Sequence, residues 1–118
     1  MKLDFPNSTA LLTKAQQENL YGKLVLQIKK DFNLANIPID LANDVSPDNL
    51  RVLLHEKIYY LIMEKFTEYL NLLYIVDVPE KVFKQIQVTD VVEVAEQVSL
   101  LVLKRELQKV WLKSKYPS

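Results

Sequence analysis

The sequence predicts a small all-α protein: a single domain, residues 1–118, built as a helical bundle of three long helices and one short helix. Its 118 residues are 49% hydrophobic, which is enough for one packed core. The chain has one glycine and no Asn-Gly or Asp-Gly pair, so the tight turns of β-hairpins have almost no suitable residues. The apolar residues of its long segments recur every three or four positions, as in amphipathic helices.

The first third of the chain predicts an irregular lead-in, one helix and an extended connection. Residues 1–12 form the lead-in, and Thr13, with a glutamine three residues later, fits a capping box at the start of the first helix. Apolar side chains share one face of this helix as far as Phe32. Residues 33–45 alternate in polarity around Pro38, which predicts an extended acidic connection. Its apolar side chains are expected to tuck against the bundle: Ile37, Ile39 and Leu41.

A long helix over residues 46–76 is predicted as the centre of the bundle. Ser46 can accept hydrogen bonds from the first backbone amides as N-cap, and Pro47 suits the first helical position. Most of the following residues are apolar or Tyr, more than a single buried stripe requires, so we expect neighbours on two sides. The main core face is predicted to be Ile58, Tyr59, Ile62, Met63, Phe66, Tyr69, Leu70 and Leu73. A thinner second line runs through Leu50, Leu54, Leu61, Leu72 and Ile75.

Two further helix starts follow the central segment. Asp77, with Pro79 and Glu80 after it, fits the cap of a short helix of about two turns. Asp90, with Glu93 after it, fits the cap of a last helix from residue 91 to about residue 115. The acidic side chains of this last helix come early and its basic side chains come late, as the helix dipole favours.

Composition and charge disfavour several classes of function for this protein. Fifteen basic and fifteen acidic side chains cancel, so no overall field attracts nucleic acid or an anionic membrane. The lack of cysteine excludes disulfides, thiol catalysis and thiolate metal sites, and it is compatible with a reducing compartment. No apolar run is long enough for a membrane span, and the first residues lack the apolar core of a signal peptide. We expect a cytoplasmic protein that does not bind membranes.

The last helix carries two apolar stripes on nearly opposite sides. The second stripe occupies its second half: Leu100, Leu103, Leu107, Val110 and Trp111. A straight helix cannot bury both stripes against one neighbour. One interpretation is that the second stripe is an interface, most simply with a second copy in a homodimer, anchored by Trp111. The alternative is that the helix bends near Ser99, or that the first helix and the lead-in cover the stripe within one chain.

Three polar residues at the start of the central helix form a candidate ligand site. Arg51, His55 and Tyr59 follow one another at four-residue spacing and could hold a carboxylate or a phosphate near the helix N-terminus. The competing interpretation is structural. Ordinary ion pairs with the acidic side chains of residues 31–50, such as Asp44, account for the same pattern.

A basic row on the last helix is a second candidate site. Arg105, Lys109 and Lys113 stand on one side, with aromatic residues nearby, and such a row could bind nucleic acid. Helix-dipole complementation explains the same residues, as does pairing with the acidic segment at residues 31–50. The balanced charge of the whole chain disfavours nucleic acid as a partner.

The remaining residues predict no catalytic group, metal site or cofactor. His55 and Glu56 lack the second histidine, four residues on, of a zinc-protease helix, and no glycine-rich phosphate loop occurs. The function expected from the sequence is a non-enzymatic protein-interaction or regulatory module that self-associates as a homodimer. Small-ligand or anion binding at Arg51, His55 and Tyr59 is the alternative, and nucleic-acid binding ranks below both.

Overall fold

The computed structural model describes residues 3–87 and 90–116 of the chain. These residues form six helices and no strand: α1 (Ser8–Gln17), α2 (Tyr21–Leu34), α3 (Pro47–Glu64), α4 (Phe66–Val76), α5 (Glu80–Phe83) and α6 (Val91–Lys115). The Cα radius of gyration is 13.4 Å, close to the ~13.5 Å expected of a compact domain of this length. The all-α bundle predicted from the sequence is confirmed, with six helices in place of four.

The helix around which the others pack is α6. It begins and ends where the sequence predicts, and the carboxylate of Asp90 caps it by accepting from the Val92 N–H at 2.9 Å. Its 25 residues span the full 37 Å of the longest axis of the molecule. It packs against α1, α2, α3 and α4. The central position that the sequence assigns to residues 46–76 therefore belongs to α6.

Residues 46–76 form two helices and not the single long helix that the sequence predicts. The predicted cap is confirmed, because the Ser46 hydroxyl accepts from the Asn49 N–H at 3.2 Å and Pro47 begins α3. Lys65 then leaves helical geometry, with φ −140° and ψ 60°, and separates α3 from α4. One helix over this span would be ~45 Å long, which exceeds the 37 Å length of the molecule. The break keeps both halves against one core.

The buried side of these two helices differs from the predicted core face. The buried residues of α3 and α4 are Leu50, Leu54, Ile58, Leu61, Tyr69, Leu72, Leu73 and Val76. Most of the thinner second line therefore belongs to the core. Tyr59, Met63, Phe66 and Leu70, which the sequence predicts as core residues, are exposed instead. Half of the predicted main face thus lies at the surface.

The predicted first helix is also divided. Asn7 caps α1 by accepting from the Ala10 N–H at 2.8 Å, so α1 begins at Ser8, inside the predicted lead-in, and Thr13 lies within the helix. Asn19 adopts a left-handed conformation, φ 58°, between α1 and α2. A single helix over both would be ~40 Å long, again longer than the molecule. The division allows α1 and α2 to pack separately on α6.

The connections agree with the predictions only in part. After α2, Ile37 and Leu41 are buried and Ile39 is partly buried, as the extended connection predicts. Asp77 does not cap the short helix. It ends α4 in a left-handed conformation, φ 74°, and α5 has only four residues.

Candidate functional site

The interface predicted on α6 lies inside the bundle. Leu103 and Leu107 have no exposed surface and Val110 is 3% exposed, while Leu100 and Trp111 are partly buried against the same core. Since α1, α2, α3 and α4 all pack on α6, the cover comes from the same chain. Burial within one chain, the alternative drawn from the sequence, is the observed arrangement. The prediction of an intermolecular interface at Leu103, Leu107 and Val110 is wrong.

The basic row of α6 is bonded to the chain itself. Arg105 Nε donates to the backbone carbonyl of Asp77 at 3.1 Å, and its Nη2 donates to Asp77 Oδ2 at 2.8 Å. Lys109 Nζ lies 2.7 Å from Asp31 Oδ2, and Lys113 Nζ donates at 2.8 Å to the side-chain oxygen of a glutamine on α2. Lys109 thus pairs with the acidic segment, as the competing interpretation predicts. All three cations have partners in the chain, so this geometry does not favour nucleic acid.

Asp31, Glu106 and Lys109 form a buried cluster between α2 and α6. Glu106 has no exposed surface, and neither of its oxygens has a hydrogen-bond partner of good geometry among the described residues. Burial, reinforced by the neighbouring Asp31 carboxylate, raises the pKa of Glu106 to about 9. Glu106 is therefore protonated at neutral pH and donates to Asp31. Its 3.2 Å contact with Lys109 is then not an ion pair.

Asp31 is the ionised member of this cluster. Burial alone would raise the pKa of its carboxyl group, but the hydrogen bonds from Glu106 and Lys109 outweigh burial and lower the pKa below its usual value. Gln27 Nε2 supplies a further donor at 3.2 Å. At neutral pH the cluster contains one carboxylate and one ammonium group, so its charge is balanced. Its role is structural, because it fastens α2 to α6.

Arg51, His55 and Tyr59 share one side of α3, but they do not form an open anion site. His55 Nε2 lies 3.0 Å from the backbone carbonyl oxygen of Val92 and 3.9 Å from a carboxylate oxygen of Glu96, both near the start of α6. The Glu96 carboxylate opposes a negatively charged ligand at this point. Arg51 Nε is buried without a hydrogen-bond partner in the described part of the chain, and Tyr59 is 37% exposed. The main contact of this group is thus between His55 and α6.

An exposed apolar row runs along α4. Phe66, Leu70 and Tyr74 are spaced four residues apart and are 55%, 41% and 80% exposed. We call these three residues the α4 face. Just before it, the end of α3 exposes Tyr60 and Met63 as well. Contiguous exposed apolar side chains mark interaction surfaces in many proteins, so the α4 face is the candidate site of this one.

A groove with a volume of about 810 Å³ lies beside the α4 face. Tyr69, Leu73 and Val78 contribute buried side chains to its lining, and Phe83 contributes from α5. Phe66, Leu70 and Tyr74 also line it, so the α4 face forms one wall of the groove. This shape suits the packing of a helix, since helices pack by placing the ridges of one into the grooves of another.

The charged groups that line the groove are paired within the chain. Asp77 is bonded to Arg105, as described above, and Glu80 forms an ion pair with Lys84 on the next turn. The groove and the α4 face consequently offer apolar contact and little unbalanced charge. A partner for this surface should itself be apolar where it touches α4.

The sequence prediction assigned two members of the α4 face, Phe66 and Leu70, to the core. One signal pointed to the surface. Residues 46–76 carry more apolar side chains than a chain of this size can cover on every side, and α4 carries them on two sides. Which of the two sides is exposed depends on how the helices pack, which no sequence pattern indicated.

The described residues contain neither a metal-binding cluster nor a membrane-spanning helix. No group of three or more His, Cys, Asp or Glu side chains in residues 3–87 and 90–116 is placed to hold a metal ion. None of the helices in these ranges combines the length and the hydropathy needed to cross a lipid bilayer. Comparisons of the chain with models of protein families, with curated proteins and with solved structures find no match. The candidate site therefore rests on the geometry of this chain.

Proposed function

We propose that this chain is a cytoplasmic protein-interaction module whose binding surface is the α4 face together with the groove beside it. The observation that carries the proposal is that α4 is apolar on two sides. One side is buried in the bundle, and the other, the α4 face, is left uncovered by the described residues. The apolar surface of α4 is thus wider than the side that the bundle covers. A partner protein would supply the second cover.

The side chains of the α4 face are large enough to hold a partner. Complete burial of a Leu or Phe side chain contributes about 1.5–3 kcal/mol. Phe66, Leu70 and Tyr74 are between 41% and 80% exposed in the single chain. Much of this free energy would therefore be gained only when a partner buries them. Tyr is also enriched among the residues that dominate interface energies. The α4 face can therefore serve as the energetic centre of an interface.

Composition supports the proposed compartment and mode of action. The chain contains no cysteine, which suits a protein of a reducing compartment. An apolar surface of this kind acts by holding a partner and requires no catalytic group. The proposed role is thus regulatory or structural, and not enzymatic.

A charge placed on the α4 face tests the proposal. Leu70→Glu should abolish binding, because the interface would bury a carboxylate without a partner. Tyr74→Lys repeats the test at a side chain that is 80% exposed, and Leu34→Glu is the matched control at a leucine that is 57% exposed on α2. Tagged wild-type and variant chains are purified from the cytoplasm of the source cells, and the intact complexes are weighed by native mass spectrometry. Circular dichroism checks that helix content is unchanged.

The masses separate the possible results. We expect the wild type and Leu34→Glu to give the same complex, with its partner identified by mass, and Leu70→Glu to give the single chain of 13.8 kDa. A complex that persists in both Leu70→Glu and Tyr74→Lys would show that the partner binds a surface other than the α4 face. A wild-type chain recovered only as a monomer would overturn the proposal.

A further inference from the structure

We propose that the partner on the α4 face is a second copy of this chain, packed with the two α4 helices antiparallel and Leu70 at the two-fold axis. This inference rests on the proposed function, since it names the partner of the same surface. It places the homodimer contact on α4, whereas the sequence predicts it on α6. Two properties of α4 support it: the order of its exposed side chains and the position of its charge.

The order of side chains along the α4 face is the same in both directions. An aromatic residue, Phe66, stands four positions before Leu70, and another, Tyr74, stands four positions after it. A two-fold axis through Leu70 reverses this order in the second copy, so each Phe66 faces the partner's Tyr74 and the two leucines meet. A two-fold interface requires such self-complementarity, because the same patch must fit itself. Aromatic pairs of this kind also contribute beyond the area that they bury.

The charge of α4 lies away from the proposed contact. Glu68 is the one ionised residue of α4, and it lies about 160° around the helix from Leu70. The residues that border the exposed row on its open side, Thr67 and Asn71, are uncharged. Two copies therefore meet without opposing like charges. The groove charges are paired within each chain, and the net charge of the chain is zero, so long-range repulsion between copies is small.

The antiparallel arrangement gives a distance that can be tested chemically. Helices that pack through large side chains have axes about 10 Å apart, and Cα atoms lie ~2.3 Å from each axis. Two residues that face each other at the crossing therefore have Cα atoms ~5.4 Å apart, within the range of a disulfide. The wild-type chain has no cysteine, so any introduced cysteine reports its own contacts alone.

Single-cysteine variants test this geometry. Leu70→Cys should form a disulfide-linked dimer on mild oxidation, and Leu34→Cys, at a more exposed leucine on α2, should remain a monomer under the same conditions. Phe66→Cys and Tyr74→Cys should each cross-link poorly alone and cross-link efficiently when mixed. The mixed pair keeps Leu70 in both chains, so it tests the contact even if Leu70→Cys weakens association.

The outcomes distinguish this inference from the proposed function. A parallel dimer would link each of Phe66→Cys and Tyr74→Cys to itself and would overturn the antiparallel arrangement. Equal cross-linking of the α4 variants and Leu34→Cys would indicate random collision and would overturn the inference. If no α4 variant cross-links, yet a complex with a different protein is lost in Leu70→Glu, the inference fails and the proposed function stands.

Discussion

The buried pair of Lys109 and Asp31 makes Lys109→Met a strongly destabilising substitution. The two side chains are 17% and 4% exposed, with Nζ and Oδ2 2.7 Å apart. Removing one partner of a buried ion pair costs roughly 3–5 kcal/mol, because the remaining charge is left without compensation. Asp31 keeps donors from Glu106 and from Gln27. We therefore expect a loss near the lower end of that range, about 3 kcal/mol of unfolding free energy.

Urea unfolding at neutral pH, followed by circular dichroism, measures this loss. Lys14→Met is the matched control, since Lys14 forms an exposed pair with Glu18 at 3.0 Å and its removal should cost less than about 0.5 kcal/mol. The double variant Lys109→Met with Asp31→Asn should recover part of the stability, because it removes the unpaired carboxylate. A loss in Lys109→Met no larger than that in Lys14→Met would refute the buried ion pair.

The same cluster predicts how stability changes with pH. The folded chain keeps the Glu106 proton up to a pKa of about 9, whereas the unfolded chain, with the ordinary pKa of 4.5, loses it earlier. Between these values the folded state binds more protons, so raising the pH favours unfolding by up to about 1.4 kcal/mol per pH unit. The lowered pKa of Asp31 gives stability that is fully present above the ordinary value of 3.8 and is lost as the pH falls through the lowered pKa.

Glu106→Gln isolates the contribution of Glu106. The amide keeps a donor for Asp31 but cannot ionise, so the decline of stability between the two pKa values should disappear and the variant should be at least as stable as the wild type at neutral pH. Unfolding free energies measured by urea across this range give the slope for each protein. Equal slopes in the two proteins would show that Glu106 is not the titrating group.

Two further substitutions test the fold. Leu103→Ala should cost about 3 kcal/mol in urea unfolding and leave the oligomeric state unchanged, because Leu103 is fully buried within one chain; dissociation of an oligomer with little loss of stability would place it at an interface. Asn7→Ala should lower the unfolding free energy by about 1 kcal/mol through loss of the α1 cap, whereas Thr13→Ala should change it by less than about 0.5 kcal/mol. A larger effect at Thr13 in the same assay would restore the helix start predicted from the sequence.

Two helix starts that depend on a capping side chain were predictable from the sequence, whereas the caps predicted at Thr13 and Asp77 do not form. Ser46 and Asp90 cap α3 and α6 as expected, because the cap is a local interaction between neighbouring residues. The break at Lys65 was not predictable in the same way. No glycine or proline marks it, and no side chain caps the start of α4. The length of a helix relative to a core 37 Å long is a property of the whole chain.

The candidate site was less predictable than the helix ends, because it too depends on the arrangement of the whole chain. Periodicity correctly indicated that Leu103 and Leu107 must be buried, but it did not indicate that their cover comes from the same chain. Phe66 and Leu70 carried the opposite error, since they were assigned to the core and lie at the surface. Hydrophobic patterning identifies the side chains that need a neighbour, and the three-dimensional arrangement decides which neighbour they receive.

Sedimentation equilibrium of the purified wild-type chain and of Leu70→Glu is the most direct test of the α4 face. We predict that the wild type approaches twice the 13.8 kDa mass of one chain as concentration rises, and that Leu70→Glu stays at the mass of one chain. The Leu34→Glu control should behave as the wild type. A wild-type chain that remains monomeric throughout, or a Leu70→Glu chain that dimerises equally well, would contradict self-association through α4.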